Sequence, residues 1–134
     1  MTTDLSGPAR TIGGEPVVRT IPMPADLNAN GDVFGGWVLS QMDIAGGICA
    51  ERVIGGRLAT VAVEAMTFHK PIAVGDLVSL YGEVVRTGRT SVTVRLETIV
   101  NRRGSPEDIR VTEGRFIYVA IDDSGKPRSI LPQT

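Results

Sequence analysis

The sequence predicts one two-layer α+β domain, a long helix packed on an antiparallel sheet, and three observations carry that reading. The segment from Val33 to Ala50 is apolar and glycine-rich, with Asp43 as its only charged residue. Beyond it the apolar period changes from 3.6 to 2 residues, the signature of a change from helix to strand. The strand runs that follow are joined by short loops rich in turn formers, which connect antiparallel neighbours but cannot make parallel crossovers.

Residues 1–14 are polar and contain glycine and proline, so a loose arm is expected. Val17-Val18-Arg19-Thr20-Ile21 reads as a short first strand, ended by Pro22, which has no N–H to give a ladder. Asp26 to Asp32, DLNANGD, is dense in turn formers and reads as a loop. A helix is predicted from Gly36 to about Ile54 and stopped by Gly55-Gly56. Val38, Met42, Ala45 and Cys49 form its core stripe. Gly36, Ser40, Asp43, Gly47 and Ala50 form a second stripe, small everywhere except Asp43, so another group can approach closely and meet one carboxylate. Four strands are predicted after the helix. Thr60–Lys70 is halted by Pro71, and Leu77–Arg86 follows the Val74-Gly75-Asp76 turn. Thr90–Val100 alternates most cleanly, with Val92, Val94, Leu96, Thr98 and Val100 on one face and Ser91, Thr93, Arg95, Glu97 and Ile99 on the other. Ile109–Ile121 is the last. Thr87-Gly88-Arg89 makes a hairpin turn, Arg102 to Glu107 a loop, and Asp122-Asp123-Ser124-Gly125 closes the final strand. A helix so apolar all round must be wrapped by a curved sheet and covered further by a partner subunit.

Composition narrows the function classes. At 134 residues the chain holds one domain, 1–134. A net charge of −1 argues against nucleic acid, whose phosphates demand a basic excess. Met1 to Arg10 lacks a basic start followed by an apolar run, and the lone Cys49 can make no internal disulfide, so a cytoplasmic protein is expected. The glycines, Ser40, Gln41 and Asp43 make the central helix too polar to favour a membrane.

Asp43 is the foremost chemical candidate, because an unpaired charge in an apolar helix is costly. It is either a structural acid satisfied by neighbouring donors or a base or nucleophile in a partly desolvated cleft. Asn28 is first a turn residue, and second an amide that reaches into a site. Gly35-Gly36 makes a tight helix entry or offers N–H groups, aided by the helix dipole, to a developing oxyanion. His69, the only histidine, lacks a hydrolase's Ser or Cys pattern around it and reads as structural, and Cys49 as a small core residue. No metal-ligand spacing, nucleophile elbow, P-loop or dinucleotide fingerprint occurs, so no metal or cofactor is expected.

Several segments together form a pattern. MPADLNANGDVFGGWVLSQMDIAGG (Met23 to Gly47), VAVEAMTFHKPIAVGD (Val61 to Asp76), GRTSV (Gly88 to Val92) and FIYVAIDDSGKPR (Phe116 to Arg128) resemble the acyl-CoA thioesterases of the hotdog superfamily, in particular the small bacterial YciA-like group. The resemblance covers about residues 15 to 132, although Arg102 to Asp108 departs from it. It implies a central helix wrapped by a five-stranded antiparallel sheet. It also implies edge-to-edge dimers with sites at the interface, commonly assembled as trimers of dimers, that is, hexamers. It makes Asp43 the catalytic carboxylate, Asn28 (43 − 28 = 15 positions earlier) its partner in positioning water, and Gly35, with Gly36, the oxyanion donor. Acyl-CoA is then substrate and CoA product. Arg89, Thr90 and Ser91 are the first candidates for the CoA phosphates, with Lys70, Lys126 and Arg128 behind them. Two rivals keep the fold: an acyl-thioester dehydratase, which would need a histidine that the helix and its loop lack, and a non-catalytic acyl-CoA sensor, which would need an attached output domain.

Overall fold

The computed structural model describes residues 10–130. Strand β1 (Val18–Thr20) leads through a 3₁₀ turn (Pro24–Asp26) to helix α1 (Gly35–Ile54), and four long strands follow: β2 (Leu58–Phe68), β3 (Leu77–Thr87), β4 (Ser91–Asn101) and β5 (Asp108–Ala120). This is the expected hotdog arrangement, with boundaries moved by one or two residues. α1 starts at Gly35, and β2 starts at Leu58 because it pairs there with Ala120 of β5, a contact that local sequence does not reveal. His69 and Lys70 lie past the end of β2.

The sheet runs β1-β3-β4-β5-β2, every pairing antiparallel. β2 and β3 are successive in sequence yet not neighbours. The segment joining them passes the entry of α1, where Val33 N–H donates to Ile72 O at 2.9 Å. The predicted core stripe of Val38, Met42, Ala45 and Cys49 is buried against β3 and β4, and Gly55 ends the helix in the left-handed region at φ 68°.

Helix and sheet approach closely because glycines clear the way. A Cβ on Gly46 would collide with the Tyr118 hydroxyl and Leu96 Cδ1, and one on Gly82 would strike Cys49 Sγ. Gly82 and Gly114 pair with Leu96 from either side, so a row of glycine, leucine and glycine lies across the middle of the sheet. The intimate contact with the sheet falls at Gly46, because that is where Tyr118 sits, while Gly47 of the small stripe lines a cavity beside Asp43.

On the far face of the sheet, where the alternation sets it with Arg95 and Ile99, Glu97 is fully buried. Part of the arm expected to be loose covers it. Glu97 Oε1 accepts the Thr11 and Ile12 N–H groups at 2.9 and 2.8 Å, and Oε2 accepts Thr11 Oγ1 at 2.8 Å and Arg110 Nη1 at 2.7 Å. Ile12 packs with Tyr81 and Ile99, while the Arg10 guanidinium lies 4.2 Å from the Tyr81 ring centroid. A buried carboxylate needs donors, and these hold the arm down at Thr11–Ile12. Residues 1–9 lie outside the described residues.

Burial alone would raise the Glu97 pKa, but the hydrogen bonds from Arg110, Ile12 and Thr11 outweigh it and hold the carboxyl at about 2, below its ordinary 4.5. A folded-state value below the unfolded one contributes stability above pH 4.5 that is lost as pH falls toward 2. Glu97→Gln is therefore expected to lower stability by about 1–3 kcal/mol at pH 7 and to flatten its fall across that acid window, as read from urea melts at successive pH values.

Candidate active site at the middle of the helix

Asp43 occupies the third turn of α1, half-buried, beneath the inner face of β5 and beside β2. Its Oδ1 accepts two hydroxyls: Thr60 Oγ1 at 2.8 Å and Tyr118 OH at 3.1 Å. The Tyr118 hydroxyl is also 2.9 Å from the Asp43 backbone carbonyl, so its single proton is shared between that oxygen and the carboxylate. Burial, then the negative charge of Asp43 and the hydrogen bond to it, push the Tyr118 phenol well above its ordinary value, and it stays a proton donor throughout the working pH range.

Two cavities meet at this carboxylate. One, of about 480 Å³, runs toward the C-terminal half of α1 past Ile44, Gly47, Ile48 and Leu58. The other, of about 350 Å³, runs the opposite way between Leu39, Val63, Met66, Phe68 and Phe116. Asp43 and Thr60 line both. The walls are largely apolar, and the carboxylate stands where the two join. A thin, mostly apolar substrate with its reactive carbon in the middle fits that shape.

Asn28 and Gly35 share a third cavity, of about 270 Å³, with Phe68, His69 and Lys70, and Asp43 does not line it. Phe68 stands between, its ring 3.6 Å from where a Cβ on Gly35 would be, and lines the Asp43 cavity as well. Within one chain, therefore, the expected partners Asn28 and Asp43 lie in separate cavities. The turn reading of Asn28 is accurate as far as it goes. Its Oδ1 accepts the Asn30 and Asp32 N–H groups at 2.8 and 3.1 Å, closing a loop in which Gly31 takes φ 83°. That commits the amide oxygen to the loop and leaves the Nδ2 end for other work. Gly35 and Gly36 are exposed and open the helix, where first-turn N–H groups have no acceptor within the helix.

The remaining candidates divide between the two ends of the helix. His69 pairs with Glu113 at 2.7 Å and, with Lys70, borders the Asn28 cavity at the N-terminal end. Arg89, Thr90, Ser91 and Arg128 gather at the other end. There Arg89 reaches Ser129 Oγ at 3.4 Å, Thr90 O accepts Ala120 N–H, and Arg128 Nη2 points at the last helical carbonyl, Ile54 O, at 3.4 Å. Lys126 is exposed in the adjoining turn. A 20-residue helix spans about 30 Å, so Lys70 belongs to a different locus from the other cations of its own chain. Cys49 is buried, its thiol pushed up by burial against the opposing influence of Arg52. Among the described residues no three His, Cys, Asp or Glu side chains group as metal ligands, and no helix is long and apolar enough to cross a membrane.

The two hydroxyls on Asp43 were not singled out from sequence. Thr60 is 17 positions away and Tyr118 75, with no spacing rule to join them. One signal was available for Tyr118: it falls on the core-facing parity of its strand with Phe116 and Ala120, and a buried phenol needs a hydrogen-bond partner.

Comparison with known proteins bears on the family and the fold. Residues 30–104 match the family described as the thioesterase superfamily. The acyl-CoA thioester hydrolase YciA of Escherichia coli (strain K12) is 50% identical over 120 residues, spanning 87% of this chain and 91% of the relative. Among solved structures, the hexameric broad-specificity acyl-coenzyme A thioesterase HI0827, as an aspartate-to-alanine mutant, superposes with a TM-score of 0.86 at 44% identity, covering 91% of this chain and 90% of that one. The hexameric thioesterase y2039 from Yersinia pestis superposes at 0.85 with 50% identity, covering 92% and 100%. A long helix on a sheet of this topology and similarity over nearly the whole chain lead to one statement: the chain belongs to the thioesterase superfamily, with the hotdog fold.

Proposed function

We propose that the chain hydrolyses acyl-CoA thioesters to a free carboxylic acid and CoA, with Asp43 as the central catalytic group. The observation that carries the reading is the placement of this carboxylate at the meeting point of two largely apolar cavities. The pantetheine arm would occupy one cavity and the acyl chain the other, bringing the thioester carbon to Asp43. Asp43 then acts as base toward a water or adds to the carbon itself, and both routes end in the same products. The Gly35 N–H, with Gly36 beside it, stabilises the oxyanion, a contribution of order 3 kcal/mol in comparable sites, and Asn28 orients water through Nδ2. No cofactor enters this scheme, and a cytoplasmic location is part of the reading, resting on the single, buried Cys49.

The separation of Asn28 and Gly35 from Asp43 within one chain supports a site built from two copies. β2 is an edge strand, and its Val61 and Val63 are exposed, as are Ile44 and Ile48 of the helix, apolar surface that a second copy would cover. In such a dimer the helix entry of one protomer would face the Asp43 of its partner, and the CoA phosphates would meet Arg89, Thr90, Ser91, Lys126 and Arg128 at one helix end or Lys70 at the other. Three such dimers would give the hexamer that the names of the similar structures carry.

Three outcomes check this reading. A panel of acyl-CoAs is expected to show thiol release, and the panel member turned over fastest gives the acyl class. Co-expression of Asp43→Ala and Asn28→Ala chains is expected to recover about a quarter of wild-type activity, since half the dimers would be mixed and each would hold one intact site. No recovery above either single variant would place both groups in one chain. Asn28→Asp keeps the acceptor that closes the loop and is expected to hold its Tm within about 2 °C while kcat falls about 10- to 100-fold, whereas Asn28→Ala is expected to lose stability as well.

A further inference from the structure

We propose that Tyr118 is a positioning residue: by clamping Oδ1 of Asp43 together with Thr60, it presents Oδ2 as the oxygen that does the chemistry. This deepens the hydrolase reading above and rests on it.

Three observations converge on the clamp. Both hydroxyl donors to the carboxylate meet the same oxygen, Thr60 at 2.8 Å and Tyr118 at 3.1 Å, so the other oxygen is the one turned away from them. Tyr118 cannot yield its place, since it is fully buried and stacked near Phe116 with ring centroids 6.4 Å apart. The helix also accommodates it specifically, because a side chain at Gly46 would occupy the position of the hydroxyl. A purely structural tyrosine would be satisfied by the Asp43 carbonyl at 2.9 Å alone. The carboxylate, being charged, competes for the same proton and so couples its own orientation to the rigid sheet. An aspartate has a broad, two-fold torsion at its terminal carboxyl. Holding one oxygen from the fixed sheet and from the edge strand removes that freedom before substrate arrives, and reaction geometry fixed in advance lowers the barrier.

The test is steady-state thiol release by purified oligomer of wild type and Tyr118→Phe, with thermal melting and size measured on each. Tyr118→Phe keeps the ring and its stacking and removes only the donor. The expected result is a fall in kcat of about 10- to 100-fold, with KM within about 2-fold and the oligomer unchanged. A tyrosine that merely braces the helix would lower Tm and leave kcat of the folded enzyme at the wild-type value, and that result would overturn the proposal. Should Tyr118→Phe fail to fold, Thr60→Val and Thr60→Ser test the same clamp from the edge strand: Val is expected to lose kcat and Ser to restore it, and equal activity of the two would overturn it. A wild type that releases no thiol from any acyl-CoA overturns the hydrolase reading and this one with it. An active wild type with an equally active Tyr118→Phe overturns this one alone.

Discussion

The fold turns on one electrostatic constraint, the need to satisfy the carboxylate of Asp43 halfway along a helix whose only other charges, Glu51 and Arg52, lie in its last turn. A charge there is costly unless donors reach it. The donors come from β5 and β2, on the side of the sheet away from where the helix mainly packs, so the helix must sit deep in the curve of the sheet. Depth in turn requires small residues at the contact. Gly46 on the helix and the glycines flanking Leu96 on the sheet supply them. Replacing the aspartate by an apolar residue would remove the cost of the charge, and in a helix whose only task was packing, that would be the simpler solution. The chain instead keeps the charge and surrounds it with two hydroxyls and two cavities.

The opposite face of the sheet handles a buried acid in another way. Glu97 has both oxygens occupied by backbone amides, a hydroxyl and Arg110, with Arg95 Nη1 at 3.5 Å. That carboxylate is saturated and has nothing left to offer a substrate. Among the described residues Asp43 is held by one oxygen, beside cavities that a ligand can enter. Two acids, one on the helix and one on the sheet, are thus sorted by their donors, one into an anchor for the N-terminal arm and the other into a carboxylate bordering two cavities.

Much of this could be read from the residues. The 3.6-residue stripe gave the helix and its buried face, and the alternation gave strands within two residues of their bounds, because both are local consequences of burial. The carboxylate in an apolar helix marked Asp43, the turn amide and the helix entry offered Asn28 and Gly35 as second readings, and the resemblance favoured those readings. Strand order was not legible, since β2 pairs with β5 across 43 to 61 intervening residues, from Phe68 with Thr112 to Leu58 with Ala120. The burial of Glu97 was not legible either, because parity within one strand cannot see an arm arriving from residues 11 and 12. Thr60 and Tyr118 escaped for the same reason: what joins them to Asp43 is a meeting in space. The cations were the least legible, since a surface arginine such as Arg128 looks the same in sequence whether it awaits a phosphate or closes a helix end, as it does here at Ile54 O.

The central claim is that the charge of Asp43, and not merely its side chain's shape, performs the reaction. Asp43→Asn is the sharpest probe, because the amide oxygen can still accept the Thr60 and Tyr118 hydroxyls while the carboxylate is gone. The measurement is kcat for acyl-CoA thiol release by Asp43→Asn beside wild type, on protein of unchanged size and melting temperature. The account predicts a loss of at least about 100-fold. A variant that keeps its fold and turns over within about 5-fold of wild type would contradict it.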